Sequence, residues 1–433
     1  MQPLVRFVPA LLGITLLAPR AFPQTGAATL HTLYSFTGKG GDGELPYGGL
    51  TVGANAKLYG TTVFGGASGT GTVFELDPPA APGGTWRESV LYSFGGGADG
   101  ANPYGTMVFG SNGALYGTTA TGGAANEGVV FELAPPADPG GVWTETILHD
   151  FGSPGDGANP FGGLIFGGNG KLYGTTFSGG VADSTCYGGQ CGTVFALGPP
   201  MVAGGAWTEA IVYAFPEGKF GSNPPAGVLI GPGGFLYGVT VYGGGGGDGT
   251  IFYLRPPRTA GDEWTETILY SFGSTLGSGW FPRGNLVAGK DGTLYGTTSG
   301  GSGTVFRLET PGYWIESAYD FPFAVGYESY GGVVIGPNEQ LFGTAFEGGI
   351  VSQSCGNLGC GTVFVATPPP SSGGTWSGTM LHTFTGVNGD GANPYAGLAP
   401  GPNGVLYGTT VAGGASGFGT IFALTLPPGV RRP

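Results

Sequence analysis

Charged side chains are scarce in this sequence, and basic ones are the scarcest. Only 9% of the 433 residues are charged, and 14 Lys and Arg oppose 27 Asp and Glu, which leaves a formal net charge of −13. Proteins that hold a nucleic-acid backbone need clustered basic residues. Scattered basic residues in an acidic chain therefore argue against a nucleic-acid partner.

Motifs that would name a reaction are also missing. The sequence contains no G-x-S-x-G, no H-E-x-x-H and no EF-hand pattern. Residues 38–43 and 95–100 match G-x-G-x-x-G, but each is followed by a proline and a strand pattern instead of a helix, so neither predicts a phosphate site. We predict no catalytic residue and no metal site or cofactor, with calcium left open as a ligand of acidic loops.

Long apolar runs are confined to the N-terminus. Arg6 precedes a short apolar run from Phe7 to Ala18, and small residues follow. This layout is typical of a secretory signal, and a buried N-terminal helix is the alternative. We predict a signal peptide and leader over residues 1–28, with cleavage between Ala21 and Ala28, and no membrane span in the mature chain. A secreted, periplasmic or cell-surface location follows.

Glycine, proline and aromatic residues are abundant instead. The chain has 96 Gly and 35 Pro, yet 40% of its residues are hydrophobic and 13% are aromatic, which is too apolar for a disordered chain. Glycine without a collagen period serves tight turns between short packed segments. The composition therefore predicts an all-β protein.

A five-residue motif repeats along the chain. LYGTT or a close variant begins at seven leucines: Leu58, Leu115, Leu172, Leu236, Leu294, Leu341 and Leu406. Each repeat also holds three other strand-like runs, separated by Asn-Gly or Asp-Gly, Gly-Gly and Pro-Pro turns. Seven four-stranded antiparallel meanders predict a seven-bladed β-propeller over residues 29–428, followed by a short tail at residues 429–433.

The phase of the repeats predicts how the ring closes. The first repeat-like run, residues 30–36, corresponds to a fourth strand, and the last, residues 419–424, corresponds to a third strand. We therefore expect the N-terminal strand to complete the last blade and cover its open edge. With the fourth strand outermost, the DGANP and Gly-Gly loops share one face, and the Asn-Gly and Pro-Pro turns share the other.

The repeat string LYGTT, GG, GTVFEL, PP, W-x-E and DGANPYGGL resembles the GloVer tandem-repeat family of bacterial secreted proteins, within a kelch-like layout. The resemblance covers about residues 30–428. It implies export and repeat architecture, and it implies no established activity.

The four cysteines form two local pairs. Cys186 and Cys191, and Cys355 and Cys360, each precede a GTVF strand, so two disulfides are predicted in an exported protein. A four-cysteine zinc site is the alternative, which the spacing and the separation of the third and sixth units disfavour.

Two further sets of polar residues recur. His149 and His382 stand where other units have Tyr, which predicts aromatic packing, and the glutamates of W-x-E predict rim salt bridges or a solvated edge. Those glutamates are Glu88, Glu145, Glu209, Glu266 and Glu316. Spread around a ring, neither set predicts a metal cluster or paired catalytic carboxylates.

The DGANP loops offer the most specific functional hypothesis. They place Asp42, Asp99, Asp156 and Asp390, with Asn102, Asn159 and Asn393, in equivalent loops near the ring's opening. Local Asx turns are one interpretation, and oxygen ligands for calcium or for sugar hydroxyls are the other. We expect a monomeric, non-catalytic binding or scaffold propeller for carbohydrate or an extracellular surface protein. The alternative is an exported polysaccharide hydrolase or lyase.

Overall fold

Each repeat folds as a four-stranded antiparallel sheet whose strands follow one another in order, and seven such sheets form a ring. The prediction of a seven-bladed β-propeller is confirmed. The computed structural model describes residues 28–426 except for 82, 139, 182–185, 187–188, 203, 217–219, 260, 274–278, 310–313, 322–325, 352–354 and 371–373, and except for the side chains of 314–319. The predicted signal peptide, apart from residue 28, and the predicted tail lie outside these residues.

The blades are numbered along the chain, and their strands run from the centre outward. Blade 1 comprises Thr51–Val52, Leu58–Thr62, Thr72–Asp77 and Arg87–Ser93. Blade 2 comprises Val108–Phe109, Leu115–Thr119, Val129–Ala134 and Thr144–Asp150. Blade 3 comprises Ile165–Phe166, Leu172–Thr176, Thr193–Gly198 and Thr208–Ala214. Blade 4 comprises Leu229–Ile230, Leu236–Thr240, Thr250–Arg255 and Thr265–Ser271. Blade 5 comprises Val287–Ala288, Leu294–Thr298, Thr304–Glu309 and Trp314–Asp320. Blade 6 comprises Val334–Ile335, Leu341–Ala345, Thr362–Thr367 and Ser377–Thr383.

Blade 7 contains both ends of the described chain. It comprises Ala399–Pro400, Val405–Thr410, Thr420–Thr425 and, as its fourth strand, the N-terminal Thr29–Ser35. Thr29 lies opposite Thr425 and Ser35 lies opposite Thr420 in an antiparallel ladder. The predicted closure by the N-terminal strand is confirmed, so the outer edge of the last blade is paired.

The LYGTT motif is a building block. In all seven blades its glycine lies under the phenylalanine of the third strand; a Cβ on Gly60, for example, would come within 2.5 Å of Phe74. Its last threonine bonds across the blade, as Thr62 and Thr72 do with hydroxyl oxygens 2.8 Å apart. In five blades its first threonine donates to a carbonyl of the next blade; the pairs are Thr118 to Gly162, Thr175 to Ala226, Thr297 to Gly331, Thr344 to Ala396 and Thr409 to Gly48.

Aromatic pairs fill the boundaries between blades. The phenylalanine directly after each fourth strand packs on the third-strand phenylalanine of the next blade, with ring centroids 4.7 to 5.5 Å apart. These pairs are Phe36–Phe74, Phe94–Phe131, Phe151–Phe195, Phe215–Phe252, Phe272–Phe306, Phe321–Phe364 and Phe384–Phe422. Such ring contacts contribute beyond the area they bury, so every blade is held by its neighbours.

The loops sort onto two faces as predicted. Short ladders join DGANP-type loops to Gly-Gly loops, between Gly43–Glu44 and Phe64–Gly65, Gly157–Ala158 and Ser178–Gly179, and Gly391–Ala392 and Ala412–Gly413. Single-turn 3-10 helices occur at Ala54–Ala56, Gly97–Asp99, Pro232–Gly234, Pro337–Glu339 and Pro402–Gly404. We call the face that carries the DGANP and Gly-Gly loops the upper face.

The predicted disulfides, Cys186–Cys191 and Cys355–Cys360, are both present. Each closes a Gly-Gly loop on the upper face, in blade 3 and in blade 6. Cys191 and Cys360 are fully buried and belong to the hydrophobic core.

Candidate functional site

Seven equivalent loop positions surround the central opening of the upper face. Each lies a few residues before the first strand of its blade, and side chains from all seven blades line one small cavity. In blade order these residues are Tyr47, Tyr104, Phe161, Pro225, Arg283, Tyr330 and Tyr395. We call this set the mouth ring.

Five members of the mouth ring form an unbroken chain of aromatic contacts. Tyr104 lies 5.2 Å from both Phe161 and Tyr47, measured between ring centroids. Tyr47 lies 4.9 Å from Tyr395, whose ring stacks on Tyr330 at 4.8 Å with an interplanar angle of 13°. All five rings are only partly buried. The opening is therefore bordered by aromatic surface over five of its seven positions.

The remaining two positions interrupt the aromatic chain. Arg283 places its guanidinium carbon 5.4 Å from the centre of the Tyr330 ring, which is a cation–π distance. Its Nε donates to Ser299 Oγ at 3.1 Å, so the side chain is held from two sides. Pro225 is the smallest member of the mouth ring and stands between Phe161 and Arg283. The ring is therefore open on one side.

A cavity occupies this open side. It has a volume of about 350 Å³ and is lined by Tyr104, Phe161, Phe177, Pro225, Tyr242, Arg283 and Tyr395. Pockets for small ligands typically measure about 300–1,000 Å³ and combine aromatic walls with a few polar groups. This cavity meets that description, with one cation and three phenols among its lining residues.

The phenols of the mouth ring keep their protons at neutral pH. Burial raises the pKa of Tyr47, Tyr104, Tyr330 and Tyr395 above the ordinary value of 10.0. The Tyr330 hydroxyl donates to Glu328 in its own loop. These tyrosines can therefore serve as hydrogen-bond donors and acceptors beside apolar ring faces, whereas a tyrosinate base is not favoured there.

Below the mouth ring, the innermost backbones approach one another closely. A Cβ on Gly227 would come within 2.4 Å of the Gly163 carbonyl oxygen, and one on Gly331 within 2.3 Å of the Gly397 nitrogen. A third cavity, of about 430 Å³, follows between the first strands, with Leu50, Val52, Val287 and Val333 in its lining. Among the described residues that line these three cavities, none is Asp or Glu.

The four predicted aspartates lie farther out, at the fourth strands. Asp42 accepts hydrogen bonds from the Tyr34 hydroxyl at 3.0 Å and from the Thr37 hydroxyl and amide at 2.7 Å. Asp99 accepts from Tyr92, Asp156 pairs with His149 at 3.0 Å, and Asp390 accepts from Thr385 at 2.8 Å. Each carboxylate bonds within its own loop and to the preceding strand, as in the Asx-turn interpretation. Their role as ligand groups stays a prediction.

The three predicted asparagines join neighbouring blades. Asn102 adopts a φ of 56° and its side chain donates to the Val63 carbonyl of the preceding blade at 2.9 Å. Asn159 and Asn393 donate to Ala120 and Phe346 in the same way, both at 3.0 Å. Their amide groups hold the upper-face loops together, and their support of a ligand likewise stays a prediction.

The histidines meet their prediction and the W-x-E glutamates do not. His149 and His382 pack edge-on against Phe151 and Phe384, with centroids 4.7 and 4.9 Å apart. The prediction of a solvated edge is wrong for the described W-x-E glutamates, which are Glu88, Glu145, Glu209 and Glu266. The Oε1 atom of each is buried and has no hydrogen-bond partner among the described residues. Each of these side chains lies between two blades, where the neighbouring fourth strand removes it from water.

Sequence reasoning missed the mouth ring. Its signal is the residue two places after the DGANP asparagine, which is Tyr104, Phe161 and Tyr395 in the units with that motif. Because the aromatic residue recurs in the same way as the structural motifs, the sequence alone did not separate it from them. Only the closed ring shows that these positions face one opening.

A family model described as the Gloeobacter/Verrucomicrobia repeat matches residues 21–199 and again residues 181–355. No curated protein matches the sequence. Solved structures that share its fold include an ulvan lyase of polysaccharide lyase family PL25, bound to -[GlcA(1-4)Rha3S]-, and a candidate 6-phosphogluconolactonase from Bacteroides uniformis. The first is 12% identical, covers 92% of this chain and 96% of its own, and has a TM-score of 0.51. The second is 16% identical, its match covers 81% of this chain and 88% of its own, and the TM-score is 0.50.

Among the described residues, no helix has the length and apolar character needed to cross a membrane.

Proposed function

The chain belongs to the Gloeobacter/Verrucomicrobia repeat family, and on that premise we propose that it is a secreted, non-catalytic propeller that binds carbohydrate at its mouth ring. The single observation that carries the proposal is the chain of five aromatic rings around one opening. The two disulfides favour an oxidising compartment.

Aromatic rings and protonated phenols suit a sugar. A pyranose ring has apolar C–H faces, which pack on aromatic faces, and equatorial hydroxyls, which need donors and acceptors beside those faces. The cavity of about 350 Å³ next to Pro225 offers both kinds of surface to the end of a glycan chain. An extracellular protein ligand would need a broader contact than this opening provides.

Arg283 would select acidic sugars. It is the one cation of the mouth ring, in a chain whose net charge is −13. A guanidinium can hold a carboxylate or a sulfate through two parallel hydrogen bonds. The ulvan lyase of similar fold is bound to a saccharide that carries both GlcA and a sulfated rhamnose. We therefore place a uronic acid or a sulfated sugar beside Arg283.

The residues that line the mouth favour binding over catalysis. Hydrolysis of a glycosidic bond ordinarily uses two carboxylates that flank the bond. The described lining of the mouth contains neither Asp nor Glu, and burial raises the pKa of the four mouth-ring tyrosines, which therefore keep their protons. The description of the matching family names no activity.

The experiment starts with the purified mature protein on an array of neutral, uronic-acid and sulfated oligosaccharides. Calorimetry on an oligosaccharide that binds should then show at least a tenfold loss of affinity for Tyr104→Ala combined with Phe161→Ala. Tyr104→Phe, which keeps the ring, should stay within about twofold if stacking dominates. Arg283→Gln should weaken acidic sugars and leave neutral ones unchanged.

Two outcomes would redirect the proposal. Loss of affinity in Asp99→Ala with Asp156→Ala, but not in the aromatic variant, would move the site to the DGANP loops. Shortened or unsaturated products after long incubation with the oligosaccharide would establish the hydrolase or lyase alternative. An array without any binding glycan would overturn the carbohydrate proposal itself.

A further inference from the structure

The boundary between blades 2 and 3 brings together three side chains from two adjacent repeats. His149 belongs to the fourth strand of blade 2, Asp156 to the loop that follows, and Glu209 to the fourth strand of blade 3. One imidazole nitrogen and one oxygen from each carboxylate all lie within 4.8 Å of one another. All three residues are partly or fully buried.

The local backbone aims these groups at one another. The fourth strand of blade 2 is irregular between Ile147 and His149, where it pairs with Phe131 and Val130. Bulges of this kind turn a side chain out of the regular alternation. His149 then reaches Asp156 with Nε2 3.0 Å from Oδ2, while the amide of Gly157 holds the other carboxylate oxygen at 2.7 Å. Two of the three groups are thereby fixed.

The third side chain contributes an oxygen without a hydrogen-bond partner. Glu209 Oε1 is buried and has no hydrogen-bond partner among the described residues. A cation placed among the three side chains would give Oε1 a partner and relieve the repulsion between the two carboxylates.

The other blade boundaries provide an internal comparison. At two of them a tyrosine takes the place of the imidazole, in Tyr34 beside Asp42 and Glu88 and in Tyr92 beside Asp99 and Glu145. At the boundary of blades 6 and 7, His382 and Asp390 are present, but Leu30 stands at the strand position that corresponds to Glu209. The combination of imidazole and two carboxylates occurs once among the described residues.

We propose that His149, Asp156 and Glu209 bind one divalent transition-metal ion, with zinc as the best match. An imidazole and two carboxylates are ligands that zinc accepts in tetrahedral sites, with a fourth position for water. Calcium is a poorer match, since it takes six to eight oxygen ligands. The ion would join blade 2 to blade 3 at their outer strands, away from the mouth ring.

The test uses a substitution that the repeat itself supplies. His149→Tyr installs the residue found at the equivalent positions of Tyr34, Tyr92 and Tyr213, so the variant should fold. Protein treated with EDTA and dialysed is titrated with zinc chloride by calorimetry. We expect one zinc ion per wild-type chain and at least a tenfold weaker affinity in His149→Tyr and in Glu209→Gln.

The matched control is His382→Tyr, which removes the same side chain from a boundary without the glutamate position. Its zinc affinity should stay within about twofold of wild type. Zinc should also raise the melting temperature of the wild type and of His382→Tyr, but not of His149→Tyr, because bound ligand stabilises the folded state. An absence of zinc binding in the wild type, or equal losses in both histidine variants, would overturn the proposal.

Discussion

The Cα atom of Gly174 lies directly beneath the ring of Phe195. A Cβ built on this glycine would come within 2.5 Å of Cζ of the phenylalanine and within 2.8 Å of a methyl group of Leu164. Gly174 is the third residue of LYGTT in blade 3, and Phe195, the last residue of the GTVF motif, lies opposite it in the ladder. The two repeated motifs are thus the two halves of one packing contact.

Gly174→Ala should therefore destabilise the protein without affecting the mouth ring. Overfilling a close-packed core costs about 1–3 kcal/mol, and Phe195 is fully buried in such a core. Chemical denaturation of the variant measures this loss. The double variant with Phe195→Leu should recover part of it, and a double-mutant cycle that is strictly additive would show that the contact is unimportant.

The buried glutamates predict an unusual dependence of stability on pH. Burial, followed by the charge of Asp99, raises the pKa of Glu145 from 4.5 to about 7. Between these two pH values the unfolded chain has released the proton and the folded chain still holds it. The contribution of Glu145 to stability is therefore fully present below pH 4.5 and is lost as the pH rises through about 7.

Glu145→Gln should remove the loss of stability that Glu145 causes as the pH rises. We expect the variant to match the wild type near pH 4 and to exceed it by about 1 kcal/mol at pH 8, a value reduced for the partial exposure of the side chain. Thermal melts at both pH values provide the measurement. Glu263→Gln, at an exposed position just before the fourth strand of blade 4, is the control for a simple change in net charge. A gain of the same size at both pH values would contradict a buried, protonated Glu145.

The N-terminal strand predicts a sharp boundary for truncation. Thr29–Ser35 pairs with Thr420–Thr425, and the following Phe36 is fully buried against Phe74 with ring centroids 5.3 Å apart. A chain that begins at residue 38 would leave the edge of blade 7 unpaired and open to association with other chains. It should melt at a lower temperature or aggregate, as static light scattering would detect.

A chain that begins at residue 28 is the control for this truncation and should melt like the full mature protein. Phe36→Ala offers a milder change, which should cost about 3–5 kcal/mol because it leaves a cavity between blades 7 and 1. Equal melting temperatures for the chains that begin at residues 28 and 38 would show that ring closure does not depend on this strand.

Most of the fold was predictable from sequence because each structural signal is repeated. The recurrence of LYGTT and of turn dipeptides gives both the strand order and the blade count, and the offset between the first and last runs gives the closure. The disulfides were predictable from the local spacing of Cys186 and Cys191, and of Cys355 and Cys360. These features depend on contacts that are local or that repeat at one period.

The same repetition made the candidate sites unpredictable from the sequence. A ring brings together residues at one position of every repeat, so Tyr47 and Tyr395 meet although 348 residues separate them. Glu209 likewise meets His149 only because the fourth strands of adjacent blades lie side by side. A periodic sequence shows which residues are equivalent, whereas the radial depth of each position decides whether they meet at the centre or remain apart.

The last prediction concerns Pro225, the small residue that leaves the mouth ring open. Its context, NPPAG, matches the NPYAG around Tyr395, so Pro225→Tyr introduces a residue that the same loop already accepts in blade 7. The new ring should enter the cavity of about 350 Å³ beside Phe161 and Arg283 and extend the chain of aromatic contacts. Oligosaccharide affinity should fall at least tenfold, while the melting temperature should stay the same or rise, because the substitution fills a cavity. Met201→Tyr, at a fully exposed position on the opposite face, controls for an added tyrosine. If Pro225→Tyr binds the oligosaccharide as the wild type does, the sugar does not occupy this cavity.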